Sequence, residues 1–136
     1  MGVNPNIFKE YDIRGKYPKE INEKIVYKIG RGFVNFLKIN SGKIVVGRDK
    51  RPSSKILAQA IIDGLADSGI DIIDVGAVTT PELYFAVPFF NAKGGAMITA
   101  SHLAKNENGI KLTRQDAEPI GGKEIQKIYE LTKNIN

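Results

Sequence analysis

The chain has 136 residues, of which 42% are hydrophobic and 26% charged, so its size and composition fit one globular domain spanning residues 1–136. It contains no cysteine, which excludes disulfide bonds and thiol catalysis and favours a cytoplasmic location. The net charge of +5 suits an anionic ligand, but the basic residues are scattered and no apolar stretch could span a membrane, so we expect no nucleic-acid partner and no membrane partner.

The first part of the chain predicts an extended segment, a long helix and a buried strand. The extended segment covers residues 7–13. In residues 18–38 apolar side chains recur every four residues, a proline stands near the start and Ser41-Gly42 follow the end, which predicts an amphipathic helix. The β-branched run at residues 43–47 then predicts a buried strand.

The middle of the chain predicts two further helices around a second buried strand. Ser53 or Ser54 can cap the first of these helices, which carries an apolar stripe. Residues 70–75 predict the strand. The sequence Thr-Thr-Pro-Glu at residues 79–82 is typical of a helix start, and Pro88 limits how far that helix can continue undistorted.

The last part predicts strands at residues 96–99 and 109–113 and a final amphipathic helix through Ile125 and Ile128. Strands and helices therefore alternate, which predicts an α/β fold with a mixed, mainly parallel β-sheet sandwiched between α-helices. Only about ten residues separate the last two strands, too few for a helical crossover, so the last strand should run antiparallel or lie at an edge.

Three segments should meet at one edge of this sheet. They are residues 47–54 after the first buried strand, residues 76–80 after the second, and Ser101-His102 after the third. In open α/β sheets, ligands bind beyond the carboxyl ends of the parallel strands. Ser101 is therefore expected in a loop where ligand chemistry usually takes place.

Three interpretations of Ser101 follow from the residues. As an acyl-transfer nucleophile it would need His102, but that residue is adjacent in an extended segment, and no nucleophile-elbow pattern is present, so a hydrolase is disfavoured. As a phosphoryl carrier it would need cations, which Arg14 and Lys111 could supply. In the third interpretation Ser101 begins a turn and the two cations are solvated surface residues.

Four segments together resemble the N-terminal domain of the α-D-phosphohexomutases, the phosphomannomutase and phosphoglucomutase family. The segments are Tyr11-Asp-Ile-Arg-Gly15, Gly47-Arg-Asp-Lys-Arg-Pro-Ser-Ser54, Thr99-Ala-Ser-His102 and Asn108-Gly-Ile-Lys111. They follow the order found in the family, and the resemblance covers essentially the whole chain. It favours the second interpretation of Ser101.

The resemblance implies a phosphoserine mechanism. Ser101 would pass its phosphoryl group to a hexose phosphate substrate, and the bisphosphate so formed would return its other phosphate to the serine. A Mg²⁺ ion would bridge the Ser101 phosphate to ligands on a later domain. Arg14 and Lys111 would stabilise the transferring group and converge on Ser101, His102 would orient the loop, and Tyr11 would approach the substrate.

Two departures from the family pattern leave an alternative open. Leu103-Ala104 stand where the family usually has Asn-Pro, which predicts a looser or differently shaped serine loop. The family enzyme has four domains, and its carboxylate-rich Mg²⁺ loop and sugar-specificity loop would lie on downstream domains, absent from this sequence. We therefore expect that the chain alone does not isomerise a hexose phosphate. The sequence does not determine which hexose phosphate is the substrate. The alternative is a non-catalytic domain of the same fold that binds an anion or a partner protein.

Overall fold

A five-stranded sheet with helices on both faces organises the chain in the computed structural model, which describes residues 2–102 and 104–136. The strands are β1 (Ile13–Lys16), β2 (Lys43–Arg48), β3 (Asp71–Ala77), β4 (Gly94–Ile98) and β5 (Glu107–Arg114). The helices are α1 (Glu23–Leu37), α2 (Pro52–Asp67), α3 (Thr80–Phe89) and α4 (Lys123–Lys133), and a short 3-10 helix (Pro5–Ile7) precedes β1. Among the described residues, no helix combines the length and apolar character needed to cross a membrane.

The strand order in the sheet is β1-β5-β4-β2-β3. Strand β2 pairs in parallel with β3 and β4, whereas β5 pairs antiparallel with both β4 and β1. Four strands thus point one way and only β5 points the other, which confirms the mixed, mainly parallel sheet. The antiparallel direction predicted for the last strand is also confirmed, but β1 occupies the edge beyond it.

The alternation of side chains along the strands divides the core into two clusters. On β2, Ile44 and Val46 join the larger cluster with residues of α1, α2 and α4. Val45, between them, joins a smaller cluster with Leu83 and Val87 of α3. Three helices therefore cover one face of the sheet, and α3 covers β2 and β4 on the other.

The N-terminal elements differ from the prediction. Residues 7–13 do not form one extended segment, since the 3-10 helix ends at Ile7 and β1 begins at Ile13. The helix expected at residues 18–38 begins only at Glu23. The Asn22 side chain accepts a hydrogen bond from the backbone N–H of Ile25 and so caps α1 there. Residues 18–20 form a turn instead.

Helices α2 and α3 differ in the residues that begin and cap them. Helix α2 begins at Pro52 with Arg51 in the N-cap position, so the prediction that Ser53 or Ser54 caps it was wrong. A proline suits the first helical position because the N–H it lacks would have no partner inside the helix. Helix α3 begins as predicted, with reciprocal hydrogen bonds between Thr79 and Glu82.

Candidate active site

Ser101 lies in the turn that follows β4, beyond the carboxyl end of the parallel strands, where the sequence predicts it. Its side chain is exposed, and its backbone has a φ of 51°. Non-glycine residues seldom adopt this left-handed conformation, so the surrounding structure must stabilise it. One contribution is a hydrogen bond of 3.0 Å that the backbone N–H of Ser101 donates to Thr99 Oγ1.

Asp49, the first residue after β2, binds the backbone just before Ser101. Its Oδ2 accepts a hydrogen bond of 3.0 Å from the N–H of Ala100. Its Oδ1 accepts from the N–H of Arg51 at 3.1 Å and from the hydroxyl of Ser54. Burial raises the pKa of the Asp49 carboxyl, but these hydrogen bonds outweigh it and hold the pKa below its usual value. Asp49 is therefore ionised at neutral pH.

The segment between β4 and β5 that carries Ser101 is the serine loop. Two more side chains join the end of this loop nearest β5 to the start of α2. Arg51 Nη1 donates to the carbonyl oxygens of Ala104 at 2.6 Å and Glu107 at 3.0 Å. Asn108 is completely buried, and its Nδ2 donates to Ser54 Oγ at 2.9 Å. The serine loop is thus hydrogen-bonded to the start of α2 at both of its ends.

Arg14 and Lys111 lie on the neighbouring strands β1 and β5 and point to the same face of the sheet. This follows from the alternation along each strand, because Ile13 and Ile110 both face the larger core cluster on the opposite side. The two cations share one partner, since Asp12 Oδ1 is 3.6 Å from Arg14 Nε and Asp12 Oδ2 is 3.6 Å from Lys111 Nζ.

The register of the strands places both cations beside the segment that leads to Ser101. Lys111 is opposite Met97 of β4. Arg14 is opposite Gly109, whose carbonyl oxygen accepts a hydrogen bond from the N–H of Thr99. A Cβ added at Gly109 would lie 2.6 Å from the Ile13 carbonyl oxygen and 3.0 Å from Arg14 Cβ, so this glycine allows β1 to pack closely against β5. Convergence of the two charges on Ser101 itself stays a prediction.

The remaining predicted site residues in the described part of the chain are also exposed. His102 follows Ser101 and is exposed, and Tyr11 lies in the bend before β1 with 72% of its surface exposed. Leu103 lies outside the described residues, whereas Ala104, the other departure from the family pattern, is exposed and bound through its carbonyl oxygen to Arg51. The roles of Tyr11 and His102 stay predictions.

The carboxylates of this region do not form a magnesium site by themselves. Within residues 2–102 and 104–136, no three acidic or histidine side chains are grouped closely enough to hold a metal ion. Asp12 is paired with two cations, and Asp49 accepts hydrogen bonds from two backbone amides and a hydroxyl. A hard ion such as Mg²⁺ is usually bound by carboxylates together with phosphate oxygens.

The fold and this site define an α/β/α domain with Ser101 exposed at the carboxyl edge of its parallel strands. Comparison with known proteins identifies its family. The model of the family described as phosphoglucomutase/phosphomannomutase, alpha/beta/alpha domain I, matches residues 5–136. The chain therefore belongs to the phosphoglucomutase/phosphomannomutase family, as the resemblance of its motifs predicts.

Individual relatives agree with this assignment. A phosphomannomutase of Klebsiella pneumoniae is 47% identical over 127 residues, which cover 90% of this chain and 80% of the relative. A phosphomannomutase of Escherichia coli is also 47% identical over 127 residues, and the match covers 90% of this chain but 27% of that enzyme. A crystal structure of a phosphoglucomutase/phosphomannomutase family protein from Burkholderia thailandensis superimposes with a TM-score of 0.85 at 34% identity, over 96% of this chain and 30% of the other.

Proposed function

We propose that this chain is the phosphoserine-bearing domain of a sugar-phosphate mutase, which interconverts hexose 1-phosphate and hexose 6-phosphate through a bisphosphate intermediate. The observation that carries the proposal is the exposure of Ser101 at the ligand-binding edge of the sheet, beside a face that presents Arg14 and Lys111. Membership of the phosphoglucomutase/phosphomannomutase family supports it.

The reaction we propose consists of two phosphoryl transfers at Ser101 Oγ. In the first, the bond between Oγ and phosphorus breaks, and phosphorus forms a bond with a free hydroxyl oxygen of the hexose phosphate, which loses its proton to a base. Oγ takes up a proton as its phosphoryl group leaves. In the second transfer, the other phosphoryl group of the bisphosphate leaves its sugar oxygen, which takes up a proton, and bonds to Oγ, which loses its proton to a base. The phosphoserine is thereby restored.

Arg14 and Lys111 would balance the charge of the transferring group. Phosphoryl transfer involves little covalent chemistry by the protein, so its catalysis rests on positioning and on cations near the phosphoryl oxygens. With Asp12 between them, the two cations leave one net positive charge on this part of the sheet face. A doubly charged phosphate is a stronger partner than one carboxylate, so we expect it to draw both side chains away from Asp12.

Two exposed residues and a metal ion complete the proposed site. His102 would orient the turn that carries Ser101, and Tyr11, which projects from the bend before β1, would contact the substrate. Mg²⁺ would neutralise charge on the Ser101 phosphate, and its other ligands would come from outside the described residues. The hexose phosphate would also need contacts from downstream domains, since this chain matches 27% of the E. coli relative.

The test is transfer of phosphate from a hexose 1,6-bisphosphate, in the presence of Mg²⁺, to a chimera in which this chain replaces the matching segment of the E. coli phosphomannomutase, followed by mass spectrometry of its peptides. We expect one phosphoryl group on the peptide that contains Ser101 and none in Ser101→Ala. Ser53→Ala is the matched control, because Ser53 also lies at this sheet edge but is half-buried beside Asn108. A chain that binds the bisphosphate but never carries the phosphate would favour the non-catalytic, anion-binding alternative.

A further inference from the structure

The Asp49 carboxylate connects three parts of the chain that are far apart in sequence. It follows β2, receives two hydrogen bonds from the start of α2, and receives a third from Ala100 after β4. Its own backbone N–H also donates to the carbonyl oxygen of Ile98 at 2.9 Å. Asp49 is therefore bonded to the serine loop through both its main chain and its side chain.

The bond to Ala100 acts where the backbone conformation is least favourable. Ala100 is fully buried, and the next residue, Ser101, has the left-handed φ of 51°. An isolated serine would leave this conformation readily, so contacts on both sides must hold it. Asp49 binds the N–H before the serine, and Thr99 Oγ1 binds the N–H of the serine itself. Together they hold the backbone from which the Ser101 side chain projects.

A carboxylate suits this place better than a neutral side chain. Three donors meet at Asp49, and a carboxylate offers two acceptor oxygens where an asparagine offers one. Hydrogen bonds to an ionised acceptor are also stronger than neutral ones. The negative charge lies just before the N-terminus of α2, where the helix dipole stabilises it.

We propose that Asp49 is a positioning residue for phosphoryl transfer, which holds the backbone before Ser101 so that Oγ faces the side of the sheet that presents Arg14 and Lys111. This inference rests on the proposed function of Ser101. Asp49 contacts neither the phosphoryl group nor the substrate in this role, and it acts only through the conformation of the serine loop.

The experiment compares Asp49→Asn and Asp49→Ala with Asp74→Asn in the chimera with the E. coli phosphomannomutase described above. Asp74 is a matched control because its Oδ1 also accepts a backbone N–H, that of Gly76 at 2.9 Å, but on β3 and away from the serine loop. Two quantities are measured, namely amide hydrogen exchange at Ala100 and the rate of Ser101 phosphorylation as a function of hexose 1,6-bisphosphate concentration.

Asp49→Ala should speed exchange at Ala100 about 10- to 100-fold, since a hydrogen bond to a charged group contributes about 1.5–3 kcal/mol. The maximal phosphorylation rate should fall by a similar factor while the bisphosphate concentration at half-maximal rate stays unchanged, because the cations that bind phosphate are untouched. Asp49→Asn should fall between Asp49→Ala and the unsubstituted chain. Asp74→Asn should change neither quantity.

Either of two results would overturn the inference. One is exchange at Ala100 that is no faster in Asp49→Asn than in Asp74→Asn, and the other is a change in half-maximal concentration with an unchanged maximal rate. If Asp49→Ala does not fold, Asp49→Asn decides on the same two measurements. Absence of phosphorylation in the unsubstituted chimera would refute the proposed function, and through it the catalytic part of this inference, whereas exchange at Ala100 still reports whether Asp49 holds the loop.

Discussion

Replacing Asn108 with alanine removes a buried amide side chain that joins β5 to α2. Asn108 is completely buried. Its Nδ2 donates to Ser53 Oγ at 2.8 Å and to Ser54 Oγ at 2.9 Å, and its Oδ1 accepts from the N–H of Gly109 at 2.8 Å. Alanine makes none of these bonds and leaves a cavity in their place.

The expected loss of stability in Asn108→Ala depends on whether each former hydrogen-bond partner of Asn108 can find another partner. Ser53 is half-buried and can turn to water, and Ser54 keeps its bond to Asp49, so these two losses are modest. The buried N–H of Gly109 loses the side-chain oxygen that faces it. With about 0.5–1.5 kcal/mol for each hydrogen bond and about 1–3 kcal/mol for an unsatisfied buried group, we expect a loss of about 2–4 kcal/mol in the free energy of unfolding.

The assay is urea unfolding followed by far-ultraviolet circular dichroism, with the free energy extrapolated to water. Asn106→Ala is the matched control, since Asn106 is exposed in the same segment, and we expect it to change the free energy by less than about 0.5 kcal/mol. The reasoning would be refuted if both variants unfolded at the same urea concentration with the same slope.

Three further predictions concern packing, pH and charge. Gly64→Ala should destabilise the chain by about 1–3 kcal/mol despite the better helix propensity of alanine, because the added Cβ would lie 2.2 Å from the Tyr27 carbonyl oxygen; thermal unfolding measures this. Because the folded state lowers the pKa of Asp49, the ionised carboxylate stabilises the fold at pH values above the ordinary aspartate pKa. This stabilisation is lost as the pH falls through the pKa of the folded state. Asp49→Asn lacks this titration, so its stability, measured by urea unfolding, should fall less on acidification. Lys111→Met should slow Ser101 phosphorylation about 10- to 100-fold at unchanged helix content, measured by mass spectrometry and circular dichroism.

Most of the elements could be predicted from the sequence because hydrophobic periodicity and local turn residues determine them. The start of α1 could not. Ile21 continues the four-residue spacing of the helix, yet it is buried in the turn before the helix, and the side chain of Asn22 decides where the helix begins. The strand β1 was also missed in part, since its pairing with β5 depends on residues almost a hundred positions away.

The site was predictable only where a motif marks it. Asp49 and Asn108 stand in recognisable segments, as Ser101 does, but their hydrogen bonds join segments about fifty residues apart, which no local pattern reveals. A weak signal was present in the sequence, since a charged residue directly follows the buried strand β2 and an asparagine interrupts the apolar run of β5.

The central claim is that Ser101 carries the phosphoryl group of a mutase whose site this chain only partly supplies. The most direct measurement is a coupled mutase assay with mannose 1-phosphate or glucose 1-phosphate, Mg²⁺ and a hexose bisphosphate activator. It is run on the chain alone and on a chimera in which the chain replaces the matching segment of the E. coli phosphomannomutase. Circular dichroism first verifies that each protein is folded. We predict no turnover by the chain alone, turnover by the chimera, and its loss in Ser101→Ala; turnover by the chain alone, or by the Ser101→Ala chimera, would contradict the account.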